Sequence, residues 1–428
     1  MAGFKQYSSP NYCVFIVASL TFAATGCLAH HRPPSAVKAA YYPSWTTSFP
    51  ASAINTSLFT HIFYAFLAPS NLTFKLEISN STSISLGNFT STLRYADPPV
   101  KALFSVGGEG SGDHFVSMAS EASSRRIFIK SSIEVARKYV FDGVDLDWEF
   151  PLSPNEMKLL GRLMKEFRNE IKKEAHLTSR PALLLTAAVY FSSDSFLSGV
   201  PRSYPAALMA KSLDWINAMC YDYNGAWSNI TGPNAGLFDP SSNVNTVYGL
   251  KSWIRAGMPL EKIVMGLPLY GRTWHLKDPN VNRIGAMAVS PGPGNGMLSF
   301  FEVDNLVKEN GAKVVYDVDT VSVYTVVNWS WVAFDDALTI TTKIGFAQAL
   351  GLRGYFFWAL SFDKECVIST QEPSPNGAGL RKCLRAYTLL GPHFNLLPWN
   401  TFPSCLRAIQ SSKMLIEQCS SRSWILDK

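Results

Sequence analysis

No run of five or more Lys or Arg residues occurs in this 428-residue chain, and its formal charge of +6 is spread over scattered positions. Nucleic-acid binding leaves a clustered basic patch or stripe, so that class of partner is excluded, and the mild positive charge reads as a solubility feature. Charged residues are scarce at 16%, while 47% of residues are hydrophobic and 13% aromatic. A disordered chain needs the opposite balance. The apolar content suffices for one large α/β barrel or for two or three ordinary domains. No CxxC pair and no His/Cys cluster is present, so no zinc-site spacing exists, and neither a metal nor a cofactor is expected. Internal repeats and strong low complexity are absent too.

Long apolar runs are also missing, with one exception. After a single Lys, residues from Tyr12 to Ala24 are mostly apolar, and small residues follow, with Ala24–Gly26 or Cys27–Ala29 as the cleavage region. This is the pattern of a secretory signal peptide over 1–29, and it is short for a membrane span. The expectation is a secreted, extracellular monomer, with the vacuole or cell wall as other destinations and no membrane association after cleavage. Sequons at Asn55, Asn71, Asn80, Asn88, Asn229 and Asn328 agree with export and glycosylation. Of the seven cysteines, Cys13 lies in the signal and Cys27 at its end. Cys220 sits inside an apolar strand pattern and reads as a buried thiol. Cys366, Cys383, Cys405 and Cys419 come late. Four cysteines allow three pairings, of which Cys366–Cys383 and Cys405–Cys419 close the shortest loops.

Past residue 35 the chain alternates short β-rich apolar runs with helix-like stretches. The runs cover 37–42, 60–67, 100–108, 141–150, 182–191, 213–222, 262–271 and 352–360. Strands alternating with helices imply a parallel sheet, and eight such units imply a closed (β/α)8 TIM barrel over residues 35–370. One helix candidate opens with Ser153 as N-cap and Glu156 three residues on, a capping-box pattern. Two intervals break the rhythm. The Ser/Thr/Asn-rich 68–99 is expected to hold an exposed hairpin. Residues 272–331 are too many for a loop without structure of its own and read as a small α+β insertion between the seventh and eighth strands. The segment 371–428, rich in Pro, Gly and Ser, is an extension with no assigned role.

The chemistry concentrates in "FDGVDLDWEF" (141–150). Strand side chains alternate faces, so Val144, Leu146 and Trp148 share one face and Asp145, Asp147 and Glu149 the other, about 7 Å apart at Cα. If the apolar set faces the helices, the acids face the barrel interior, with Glu149 nearest the C-terminal strand ends where barrel enzymes place their chemistry. Three carboxyls in a low-dielectric core cannot all ionise. They share at least one proton and titrate together, which keeps one carboxyl near the top protonated and suits a general acid. A calcium loop would need Gly at its sixth position and a helical flank. A purely structural cluster would leave three acids unpaired in a core.

"DGVDLDWE" (142–149) resembles the D-G-x-D-x-D-x-E signature of glycoside hydrolase family 18, the chitinases. "FSVGG" (104–108), "MCYD" (219–222), "GLPLYGR" (266–272), "GYFFWAL" (354–360) and "THIFYAF" (60–66) resemble other strand ends of that family, in the right order over about 35–365. The details are most similar to secreted plant class V chitinases. The resemblance implies a retaining, endo-acting hydrolase of β-1,4-linked N-acetylglucosamine in chitin or chitooligosaccharides. Glu149 would protonate the glycosidic oxygen, and the acetamido oxygen of the −1 sugar would attack in place of a second carboxylate. Asp147 would orient that acetamido group, Asp145 would hold Asp147, and Tyr221 would bind the acetamido oxygen. Tyr41 and Ser105 would hydrogen-bond the deeper acids. Met219, Phe66 and Asp222 would line the −1 site, Trp358 would form its floor, and Tyr270 and Arg272 would line the cleft on the insertion side. Aromatic faces packing on sugar C–H groups beside polar groups that read hydroxyls is the mixture a sugar site needs.

Trp45, after the first strand, fits either a sugar platform or a covering residue. Glu109 stands where many relatives place a Trp beneath the +1 sugar, a departure that weakens the expectation of processive action. Two other readings share the barrel. One is a catalytically weak or silent chitin-binding lectin, although such relatives lack the acid and this chain keeps it. The other is an endo-β-N-acetylglucosaminidase acting on glycoproteins, distinguished by cleft width and insertion shape.

Overall fold

The computed structural model describes residues 36–195 and 199–372. The expected signal segment, three of the four late cysteines (Cys383, Cys405 and Cys419) and nearly all of the 371–428 extension lie outside those residues. Seven parallel strands come first: β1 (Val37–Pro43), β2 (His61–Leu67), β3 (Lys101–Gly108), β4 (Gly143–Trp148), β5 (Leu184–Tyr190), β6 (Trp215–Met219) and β7 (Ile263–Pro268). A separate sheet follows, made of β8 (Tyr270–Leu276), β9 (Ala288–Pro291), β10 (Met297–Ser299), β11 (Val314–Asp317), β12 (Ser322–Val327) and β13 (Ser330–Phe334). Strand β14 (Gly354–Trp358) then pairs with both β7 and β1 and closes the eight-stranded barrel. The (β/α)8 barrel expected from the alternation is the fold.

The helices are α1 (Asn80–Arg94), α2 (Gly112–Ser120), α3 (Ala122–Lys138), α4 (Pro154–Thr178), α5 (Ala206–Ser212), α6 (Thr246–Arg255), α7 (Phe300–Asn310) and α8 (Ala337–Leu350). Ser153 caps α4 by accepting the Glu156 N–H at 3.2 Å, and the Glu156 carboxylate accepts the Leu152 N–H at 2.7 Å. The interval 68–99 differs from the expected hairpin. It contains one isolated bridge, Pro69 to Leu76, followed by α1. Leu86, Phe89, Thr90 and Leu93 are the buried residues of α1, which is the i, i+3, i+4, i+7 spacing of an amphipathic helix. Ser and Thr on its other positions obscured that stripe, and Ser79 supplies the N-cap by accepting the Thr82 N–H.

Strand alternation sorts the barrel side chains into two cores. Outside, between strands and helices, lie Val144, Leu146 and Trp148 of β4, with Trp148 stacked on Phe115 of α2 at 5.2 Å between ring centroids. Inside lie Val37, Ala39, Tyr41, Phe63, Leu103, Trp215, Val264 and Phe356. Both faces of every strand are therefore covered, as parallel sheets require. The second sheet runs β9-β8-β13-β12-β11, with β10 also pairing β8, and packs its own core around Trp274 and Trp331. Because β8 starts two residues after β7 ends, that sheet delivers Tyr270 and Arg272 directly to the C-terminal rim of the barrel.

Candidate active site

With its apolar residues turned outward, β4 points its acids into the barrel. Asp145 is fully buried, Asp147 is 3% exposed, and Glu149, just past the strand end, is half-buried. The neighbouring strand comes unusually close here. Gly107 of β3 is the register partner of Asp147, and a Cβ at Gly107 would sit 2.0 Å from the Asp147 carbonyl oxygen. Only glycine permits that approach, and its φ of +121° is one that other residues avoid.

The three acids differ sharply in their partners. Asp145 Oδ2 accepts from the hydroxyls of Tyr41 (2.9 Å) and Ser105 (2.7 Å). Its Oδ1 accepts from the Thr186 hydroxyl (2.5 Å) and from Asn217 Nδ2 (3.3 Å). Asn217 also donates to the Tyr41 oxygen and accepts from Trp215 Nε1, both at 3.0 Å, which fixes its amide orientation. Burial raises the Asp145 pKa, and these donors oppose the rise. Asp147 has no comparable support. No donor among the described residues reaches its buried Oδ1, and burial, then the charges of Glu149 and Asp145, hold its carboxyl well above the usual range. Glu149 is pushed up to about 7 by burial and then by the negative charges of Glu109 and Asp222, against a hydrogen bond from Asp147. Burial and mutual charge thus raise the proton affinity of Asp147 and Glu149, whereas the four donors around Asp145 favour its ionised form.

The rim residues assemble around this column. Phe66, Met219, Tyr221 and Trp358 stay partly exposed and pack on the top of the inner core. Trp358 lies 5.5 Å from Tyr41 and stacks on Phe66 at 5.7 Å. Trp45, 58% exposed, stacks in turn on Phe66 at 6.0 Å, so it extends a ladder of rings. Tyr221 meets Tyr270 edge-on at 6.2 Å. On the insertion side, Asp222 Oδ1 accepts from the Tyr270 hydroxyl and from Arg272 Nε, each at 2.7 Å. The Arg272 guanidinium lies 5.0 Å over the ring of Trp227, an exposed indole of the loop after β6.

The twelve residues singled out from the sequence are thus placed as the column of acids, its donors Tyr41 and Ser105, the layer of Phe66, Met219, Tyr221 and Trp358 on the inner core, and the cluster of Asp222, Tyr270 and Arg272. Sequence reading missed Thr186, Asn217 and Trp227. The signal for the first two was present: each is a polar residue at an inward position of an apolar strand, and Thr186 is the register partner of Asp145. Trp227 lies in a loop, where no periodicity marks it. Glu109, noticed only as a departure, follows Gly107 and Gly108, which pair with Asp147 and Trp148; the register places it beside Glu149.

Comparison with known proteins gives one family. The model described as glycosyl hydrolases family 18 matches residues 37–363. The chain is 50% identical over 326 residues to the class V chitinase CHIT5b of Medicago truncatula, spanning 76% of this chain and 86% of that protein. It is 52% identical over 321 residues to Nod factor hydrolase protein 1 of the same plant, spanning 74% and 83%. The structure of a GH18 chitinase from Cycas revoluta in complex with (GlcNAc)3 matches with a TM-score of 0.75 at 42% identity, over 78% of this chain and 98% of that one.

Proposed function

The chain belongs to family 18 of the glycosyl hydrolases and is a glycoside hydrolase of the chitinase type; from that premise we propose that it cleaves internal β-1,4 bonds between N-acetylglucosamine units with retention of configuration, using Glu149 as general acid and base. The observation that carries this reading is the unequal support of the acids. Asp145 is satisfied by four side-chain donors, so the proton stays on the Asp147–Glu149 pair at the mouth of the barrel. With its pKa near 7, Glu149 is partly protonated at neutral pH and able to donate.

In the proposed first step the Glu149 proton passes to the glycosidic oxygen as the bond from that oxygen to the −1 sugar breaks. The acetamido oxygen of the same sugar forms the new bond to its anomeric carbon, giving an oxazolinium. Asp147, as a carboxylate, stabilises the positive charge on the acetamido nitrogen, and Tyr221 orients the acetamido oxygen. In the second step water attacks the anomeric carbon and gives its proton to Glu149, and the ring opens with configuration retained. Trp358 and Phe66 supply the apolar surface under the sugar, and Asp222, backed by Tyr270 and Arg272, reads its hydroxyls. The apolar run at 12–24 and the sequons support export of the enzyme to the cell exterior, vacuole or cell wall, where it acts as a monomer.

The test is incubation with chitohexaose beside Glu149→Gln. Cleavage by the parent and binding without cleavage by the variant are expected. Equal turnover in both would remove Glu149 from its role, and binding without cleavage by the parent would make the protein a lectin.

A further inference from the structure

We propose that Asn234 is a positioning residue of the cleft, acting on the sugar through Asp222 and Tyr270 without touching it. Asn234 lies in the loop after β6, only 2% exposed. Its Oδ1 accepts the backbone N–H of Asp222 at 3.2 Å, and its Nδ2 donates to the backbone carbonyl of Tyr270, also at 3.2 Å. Its own carbonyl accepts the N–H of Tyr223 at 3.0 Å. Asp222 and Tyr270 are thereby tied twice. Their side chains meet at the cleft surface through the 2.7 Å hydroxyl–carboxylate bond, and their main chains are joined beneath it by one planar amide.

Two further observations give the clamp its purpose. Asp222 has a φ of +59°, a left-handed conformation uncommon for a residue with a side chain, and such conformations persist only where the surroundings over-determine them. The Asn234 bond to its N–H is one such determinant. The loop carrying Asn234 is itself anchored on both sides: Asn224 Nδ2 donates to the Pro233 carbonyl at 2.9 Å, and the buried Lys343 ammonium donates to the Ala235 carbonyl at 2.5 Å. A fixed amide therefore sets the distance between the end of β6, on the barrel, and the start of β8, on the second sheet. An amide suits this place because one neutral group must accept from an N–H and donate to a C=O. Alanine would leave both buried backbone groups unpaired, and aspartate would set a negative oxygen against the Tyr270 carbonyl.

The inference rests on the reading that Asp222 contacts substrate, and it is tested by a double-mutant cycle on chitohexaose hydrolysis. Asn234→Ala is expected to lower kcat/KM about tenfold in the parent and less than about twofold in an Asp222→Ala background, because residues acting through one group are not additive. Asn234→Asp, which keeps the side-chain volume, is carried through the same cycle in case the alanine variant fails to fold, with the same non-additivity expected. An equal fractional loss in both backgrounds, or no loss in the parent, would overturn the proposal. Thermal unfolding of each variant separates a general loss of fold, which lowers activity alike in both backgrounds. Turnover by the parent in the same assay tests the underlying reading separately.

Discussion

Asp145 and Asp147 lie two residues apart on one face of β4, yet Asp145 accepts hydrogen bonds from four side chains while the buried Oδ1 of Asp147 receives none from the described residues. Identical carboxyls on one strand are thereby given different tasks. The four donors favour the ionised form of the lower one, while burial and the charge of Glu149 raise the proton affinity of the upper one.

That contrast predicts the effect of Thr186→Val, a nearly isosteric change that removes the 2.5 Å donor to Asp145 Oδ1. The oxygen then keeps only the 3.3 Å bond from Asn217. Stability at pH 7, measured by urea unfolding, should fall by about 1–3 kcal/mol, the cost of leaving a buried acceptor short of a donor. Activity should fall as well, since Asp145 would compete for the proton. Unchanged stability would show that Asn217 or solvent takes over the donation.

The pH profile follows from Glu149. Donation requires its protonated form, so kcat/KM should decline as pH rises through about 7. The charge of Glu109 helps to raise that value, so Glu109→Gln should move the alkaline limb to lower pH by a fraction of a unit. The sign is the test: a limb that stays in place or moves to higher pH would mean that Glu109 does not act on Glu149 through its charge.

Lys343 and Asp335 form an ion pair at 2.5 Å with side chains only 2% and 1% exposed. Burial raises the Asp335 pKa, and the Lys343 charge opposes this. Lys343→Met should therefore cost about 3–5 kcal/mol, because it strands a buried carboxylate. Adding Asp335→Asn should restore much of that loss. Urea unfolding of the single and double variants checks this, and a double variant no more stable than Lys343→Met would contradict it.

Much of this molecule was legible as a string. The eight barrel strands stood out because each is a short apolar run with aromatic or β-branched residues bounded by turn residues, and period-two alternation already separated the three acids of β4 from Val144, Leu146 and Trp148. Helix α1 was hidden because Ser and Thr fill six of its eleven positions that are not buried and suggested a loop, although Leu86, Phe89 and Leu93 carried the helical spacing. The donors to Asp145 were hidden for another reason. Thr186 and Asn217 are ordinary in their own strands and become meaningful only when barrel closure sets them beside a carboxylate 41 and 72 residues earlier.

The sequence by itself determined which residues could do chemistry: alternation is a local property of the backbone, so it placed the acids on one face and their order along the strand. The tertiary structure decided how those acids differ. Proton affinity depends on burial and on donors and charges within a few ångströms, and those neighbours, from Tyr41 on β1 to Asn217 on β6 and Glu109 beyond β3, are brought together only by the closed barrel. The same holds for Asn234, an unremarked loop amide until the end of one strand and the start of another meet across it.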